Sequence, residues 1–332
     1  MIKSVKTEDL KVGMYVILPH KWLSHPFISN QFLINAETQI KKIVEAGIEE
    51  VSIDFEQSKL KEPSSDLSGT NKDIATKTKT SQTAYSDQPI IPPALQEAIY
   101  DKKMLSQDKA VLVHKHSIVM INRLMDCPSV ENIMEAKKGI AELVDLILAD
   151  NNTMSHLLKI TSHDYSTYVH SVNVGLLGIS LSKKLFGTSS AHNIYELGAG
   201  FFLHDLGKVN ISIDIINKPS ALTDEEMHEM QRHPQYGYEI LTKAGQLTQE
   251  CKTIVLHHHE NHDGSGYPLG LKGEEIHLYG RICALADVYD ALNSERPYRR
   301  GLGTYATLKL MKEEMLNHFH KDLFKKFILL FS

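Results

Sequence analysis

Three patterns of apolar and polar residues follow one another along the chain. Near the start, short β-type runs stand out: Met14-Tyr15-Val16-Ile17-Leu18 after Gly13, and Val51-Ser52-Ile53-Asp54-Phe55. The stretch between them, roughly Ala36 to Ala46, carries Ile40, Ile43 and Val44 at helical spacing. Residues 1–58 therefore predict a small α+β domain. The pattern then collapses: of the thirty residues 61–90 only six are apolar and ten are Ser or Thr. Such a segment cannot bury enough surface to offset its ordering entropy, so residues 59–92 are expected to be a flexible polar linker. Pro92 and Pro93 close it, and Pro93 suits the first turn of a helix. Beyond that point apolar residues recur at three- and four-residue spacing, as in Ile140, Leu143, Val144 and Ile147. The prediction is a mainly α protein, with connecting helices over 93–142 and a helical catalytic domain over 143–332.

Composition narrows the class. With 332 residues, 42% hydrophobic and 23% charged, the chain is of ordinary globular make-up. A net charge of −5 makes it a poor candidate for wrapping duplex nucleic acid. Cys127, Cys251 and Cys283 have no motif spacing, which rules out a disulfide scaffold. The start shows no signal-peptide pattern and no apolar run is long enough for a membrane span, so a cytoplasmic location is expected. The anomaly is histidine: 18 residues, twelve of them between His156 and His277.

A single histidine on an apolar helix face is more often a satisfied core residue than a ligand. His170 is such a case, followed by Val174, Leu177 and Leu181 on the same stripe. His204-Asp205, after Phe201-Phe202-Leu203, is harder to dismiss, because a carboxylate in apolar surroundings needs compensation and a divalent cation would supply it. His233 precedes Pro234 at the end of an acidic helix that Thr223 and Glu226 cap as a box. His257, His258 and His259 cannot all face the core; two can flank one face, and helical geometry does not say which two. Asp287 sits in an otherwise apolar helix with no cation nearby in sequence. Five histidines and two aspartates on separate helices converge most simply on metal. Imidazole with carboxylate suits iron, manganese or zinc, and seven ligands suit two ions.

The ordered set His204-Asp205-Leu206-Gly207-Lys208, Asn217-Lys218-Pro219, His233-Pro234, His258-His259-Glu260, Asp263-Gly264-Ser265-Gly266-Tyr267-Pro268, Asp287 and Ser294-Glu295-Arg296-Pro297-Tyr298-Arg299 resembles the HD-GYP family of HD-domain metal-dependent phosphohydrolases. The resemblance implies a helical domain with two divalent ions, iron or manganese, that hydrolyses cyclic di-GMP to pGpG or GMP through a hydroxide shared by the ions. It assigns His170, His204, Asp205 and Asp287 to one ion, and His233, His258 and His259 to the other, with Asp205 bridging and His257 left over. Members with a third metal carry a glutamate where this chain has Ser166, so two ions are expected. Asp205 and Lys208 are the expected catalytic pair, with Lys208 as phosphate contact or leaving-group helper; its bland reading is a lysine offsetting a helix dipole. Tyr267, Arg296 and Arg299 are expected at the substrate: the tyrosine as a stacking face, the arginines as phosphate forks. Helix termination by the loop glycines and simple salt bridges are the bland alternatives.

The N-terminal zone is similar to a small domain found ahead of HD-GYP domains, through Gly13-Met14-Tyr15-Val16 and His25-Pro26-Phe27. A regulatory or dimerising role for it follows only from its position. The resemblance leaves open a diguanylate cyclase partner and a homodimer, and family members usually extend somewhat beyond the apolar tail Phe324 to Phe331. Competing functions are a cyclic-dinucleotide sensor or adaptor without turnover, and a hydrolase preferring cyclic GMP-AMP.

Overall fold

The computed structural model describes residues 2–17, 31–34, 40–41, 43–44, 50–54, 58, 88–160, 166–187, 189–216, 218, 222–245, 247–294 and 301–331. The chain divides into two units, Met1–Ser86 with Ile213–Leu222, and Asp87–Ser212 with Thr223–Ser332.

The first unit is built on an antiparallel sheet of β1 (Ile2–Lys6), β2 (Tyr15–Ile17), β3 (Gln31–Leu33) and β4 (Glu50–Asp54), in the order β1-β4-β2-β3. Val5 pairs with Val51 and Val16 with Ile53, so alternate residues of the strands share one face. Val16, Val51 and Ile53 make a small core there with Leu10, Met14, Ile34 and Ile43. The sequence pattern located β2 and β4 but not β1 or β3, which carry no continuous apolar run. His25-Pro26-Phe27, like nearly all of the linker stretch, lies outside the described residues.

The second unit contains helices and loops and no strand among its described residues. Pro93 opens α1 (Pro93–Tyr100), where its missing N–H is not needed. Then follow α2 (Ser106–Asp126), α3 (Val130–Ala149), α4 (Asn151–Ile160), α5 (Thr167–Phe186) and α6 (Ile194–Phe202). Residue 143 lies inside α3, and the 93–142 segment gives Leu95, Val113, Met120 and Ile140 to the same core as the helices after it. α5 is apolar around nearly its whole girth and is buried accordingly. Its Gly175 and Gly178 let Phe202 and Phe201 of α6 lie directly on its backbone.

After a short helix α7 (Ile213–Ile216) in the other unit come α8 (Asp224–Met230), α9 (His233–Ala244), α10 (Gln249–His257), α11 (Leu278–Asn293), α12 (Thr304–Glu314) and α13 (Lys321–Ile328). The Thr223–Glu226 capping box forms at the start of α8 as expected. His233 is not at the end of that helix but is the first residue of α9. Pro234 belongs in a first turn, and Gln231-Arg232 make the bend that separates the two helices. In the apolar tail Phe324 and Phe327 are buried, as is Leu323 just before it, and Phe331 stacks on Tyr289 of α11 at 4.7 Å. No helix among the described residues is long and apolar enough to cross a membrane.

Candidate metal centre

Three histidines of the constellation are aimed by a carbonyl three residues before them. α6 ends at Phe202, and the chain continues into a tight turn and a 3-10 segment, Leu206–Asn210, in place of the continued helix. His204 Nδ1 donates to Phe201 O at 2.9 Å, His233 Nδ1 to Met230 O at 2.8 Å and His258 Nδ1 to Val255 O at 2.7 Å. A carbonyl can only accept, so the hydrogen of each neutral ring sits on Nδ1 and each Nε2 presents a bare lone pair. Gly207 allows the tight turn to approach α9: a Cβ there would lie 1.9 Å from His233 O. Its bare backbone is what brings His204-Asp205 against His233.

The side chains then meet around Asp205. Its Oδ1 lies 3.2 Å from His233 Nε2 and 3.9 Å from His258 Nε2. Its Oδ2 lies 3.5 Å from His204 Nε2, 3.9 Å from His170 Nε2 and 2.5 Å from Lys208 Nζ. Asp287 spans the same gap from α11, with Oδ1 2.9 Å from His170 Nε2 and Oδ2 3.3 Å from His259 Nδ1. All seven residues expected as ligands are therefore in one pocket. Donor atoms close enough to share an ion form two groups, His170 with His204 and Asp205, and Asp205 with His233, His258 and His259. Asp205 belongs to both. His257 is turned aside, its Nδ1 accepting from the backbone of His277.

The electrostatics fit cations. Burial alone would push Asp205 up, but Lys208, His204 and His233 beside it hold its carboxyl well below the usual range. Asp287 is likewise driven down against burial, by His259 and His170. Burial pushes His258 well down and His259 down to about 3, so both rings are neutral at physiological pH, the state in which an imidazole can bind an ion. His204 Nε2 and Asp205 Oδ1 are buried without any hydrogen-bond partner. Unsatisfied buried acceptors are rare and costly, and a bound cation would compensate both. The residues present fit bound divalent metal.

The other expected residues fall as follows. Lys208 reaches Asp205 through the i,i+3 geometry of the 3-10 segment. Tyr267 lies against the ligand set itself, its ring 4.7 Å from His259 and 6.4 Å from His233, and burial raises its hydroxyl pKa. Ser166 caps α5, its Oγ accepting from Val169 N at 3.2 Å. Arg296 and Arg299 lie outside the described residues.

Two supporting residues escaped the sequence reading. Asp290 is fully buried and its Oδ2 lies 2.7 Å from His170 Nδ1. A carboxylate behind a ligating imidazole fixes its tautomer and raises its basicity. The spacing Asp287-Val288-Tyr289-Asp290, a second carboxylate one helical turn on, was the available signal. Glu260 is also buried, and its carboxylate accepts from the backbone of Leu269 at 2.7 Å and of Leu271 at 2.9 Å. It pins the loop carrying Tyr267. Gly266 lets that loop lie on the end of α10, where a Cβ would meet Asn261 N at 2.3 Å and His259 O at 2.4 Å.

Comparisons with known proteins agree with this architecture. A family model described as an HD domain matches residues 190–323, and one described as a domain of unknown function, DUF3391, matches residues 2–135. A cyclic di-GMP phosphodiesterase of Pseudomonas aeruginosa is 30% identical across 99% of this chain and 76% of its own length. A 3'3'-cGAMP-specific phosphodiesterase of Vibrio cholerae is 49% identical over 98 residues, covering 29% of this chain and 19% of that enzyme. Among solved structures, an HDG"Y"P protein from Bdellovibrio bacteriovorus shares the fold, with a TM-score of 0.59 at 15% identity over 100% of this chain and 99% of that one. With His204-Asp205 at the centre of its helical unit and the Gly266-Tyr267-Pro268 loop beside it, the chain belongs to the HD-GYP family of HD-domain phosphohydrolases.

Proposed function

We propose that the chain is a metal-dependent phosphodiesterase that opens cyclic di-GMP to pGpG or GMP, using two divalent ions, iron or manganese. One observation carries this reading: the Asp205 carboxylate turns one oxygen to His233 and His258 and the other to His204 and His170. His170, His204, Asp205 and Asp287 are assigned to one ion, and His233, His258 and His259 to the other, shared through Asp205. The imidazole-rich donor set favours iron or manganese over magnesium or calcium.

Two such ions, when bound, activate a water near neutral pH and polarise the phosphodiester oxygens. The protein's own groups do the rest. Lys208 holds the Asp205 carboxylate in place and presents a cation to the non-bridging phosphoryl oxygens, where charge develops during displacement. Tyr267, kept protonated by burial, offers a hydroxyl donor and a ring face at the edge of the ligand set. Arg296 and Arg299 are assigned to the phosphates on the strength of the motif alone. A cytoplasmic setting suits the three free cysteines. A diguanylate cyclase partner and homodimerisation are part of the same family reading, and Leu269, two residues beyond Tyr267, is exposed.

Hydrolysis of cyclic di-GMP by protein loaded with Fe(II) or Mn(II) tests the proposal. Linear dinucleotide or GMP should form, and Asp205→Ala should abolish both turnover and most of the bound metal. Binding of the dinucleotide without any cleavage would favour the adaptor reading. The stretch shared with the Vibrio enzyme makes cyclic GMP-AMP the second substrate to assay. A higher kcat/KM on it would reassign the substrate and leave the centre intact.

A further inference from the structure

The hydrogen bonds around His170 continue beyond the ligand pocket. Its Nδ1 lies 2.7 Å from Asp290 Oδ2; Asn173 Nδ2 donates to Asp290 Oδ1 at 2.8 Å; and Asn173 Oδ1 lies 2.9 Å from His114 Nε2. Asp290 and Asn173 are buried, and His114 is half-buried on α2. The chain thus joins α2, α5 and α11, all in the same unit.

The direction of each link follows from Asp290, whose two carboxylate oxygens face the donors of His170, Asn173 and Ser294. It takes the hydrogen of His170 Nδ1, so Nε2 is the nitrogen of His170 that can give a lone pair to an ion. It takes a second hydrogen from the Asn173 amide, which turns the amide oxygen toward His114. That oxygen needs a donor, so His114 carries its hydrogen on Nε2. Ser294 Oγ, 3.0 Å from Asp290 Oδ1, completes the carboxylate's set. An amide has two orientations, and only one of them serves Asp290. With no donor at position 114, Asn173 can turn its oxygen toward the carboxylate, setting acceptor against acceptor and loosening the support of His170.

We propose that His114 is a positioning residue for the metal centre: through Asn173 and Asp290 it holds His170 in the tautomer and orientation that an ion requires. α2 lies outside the residues matched by the HD-domain model and within those matched by the DUF3391 model. A side chain of the upstream region is therefore built into the support of the centre. The inference rests on the reading of His170 as an ion ligand.

Two substitutions of similar shape separate the hydrogen bond from mere packing. His114→Met fills the space without a donor, His114→Gln keeps one, and both residues favour helix, so the fold should hold. Mn(II) affinity of the full chain is measured by competition with a chelator, and the Mn(II) environment by its paramagnetic resonance spectrum. His114→Met should weaken one of the two ions by about tenfold to a hundredfold, alter the spectrum and lower kcat at unchanged KM. His114→Gln should restore all three. In an Asp290→Asn background His114→Met should cost nothing further, because the chain is already cut. Wild-type metal affinity in His114→Met, or failure of His114→Gln to recover it, overturns the proposal. His170→Ala distinguishes the levels: loss of an ion there upholds the ligand reading whatever His114 does, whereas retention of both ions overturns the ligand reading itself.

Discussion

His233 and His258 point their Nε2 atoms at each other across 3.1 Å, while the Nδ1 of each donates to a backbone carbonyl. Neither Nε2 has a hydrogen when the rings are neutral, and burial holds His258 neutral far below physiological pH. Two lone pairs at that distance repel unless a positive charge is shared between them. A bound divalent ion turns this repulsion into coordination.

Metal removal should therefore destabilise the helical unit. At free metal about a hundredfold above its Kd, one bound ion contributes about 2.7 kcal/mol. Stripping it should lower Tm by about 5–10 °C for a unit of this size. Calorimetry on metal-loaded and chelator-treated protein checks this; equal Tm values would mean that the histidines are satisfied without metal.

Lys208→Met should separate chemistry from metal binding. The ammonium sits 2.5 Å from Asp205 Oδ2 but is not itself one of the donor atoms grouped to hold an ion. Turnover should fall by about 10²- to 10³-fold, as for loss of one transition-state donor, with both ions retained. Steady-state kinetics paired with elemental analysis gives the comparison. Loss of metal together with rate would make Lys208 a support for Asp205 only.

Metal uptake should release protons. Burial pushes the His170 pKa down, but its hydrogen bonds to Asp287 and Asp290 outweigh this and raise it well above 6.5. The folded apoprotein thus holds a proton on His170 at pH 7, and an ion must displace the one on Nε2. His258 and His259, already neutral, contribute none. Binding should release about one proton at pH 7, and affinity should rise with pH until the raised pKa of His170 is passed. Calorimetric titration in two buffers of different ionisation enthalpy measures this directly. A buffer-independent heat would show that His170 is neutral in the apoprotein.

Gly207→Ala should damage the centre without touching a ligand. A Cβ 1.9 Å from His233 O and 2.4 Å from Gly237 N cannot be accommodated unless the 3-10 segment and α9 separate. The stability loss should be about 3 kcal/mol, at the upper end for overpacking, and metal content should fall with it. Thermal denaturation with and without added metal reads both effects.

Much of the centre was legible in the chain. His204-Asp205 behind three large apolar residues, and Asp287 in an apolar helix, are costly wherever they fold, so each announces a compensating group. Asp290 was equally visible as a buried carboxylate in prospect. Its task depends on the axial position of α5, which places His170 Nδ1 opposite it, and no local pattern encodes that placement. Asn173 and His114 carry no anomaly of their own and acquire meaning only through the helices they join. The start of α9 carries little local signal, because Gln231 and Arg232, which make the bend before it, are ordinary helix formers. β1 and β3 are held by their partners in the sheet and not by apolar runs, so no local pattern announces them.

The central claim is a pair of ions on either side of Asp205. Anomalous scattering from crystals of anaerobically purified protein, collected across the iron and manganese edges, measures it most directly. Two peaks are expected, one among His170, His204, Asp205 and Asp287 and the other among Asp205, His233, His258 and His259. A single peak bound by only one of these groups, or none in protein that still hydrolyses cyclic di-GMP, would contradict the account.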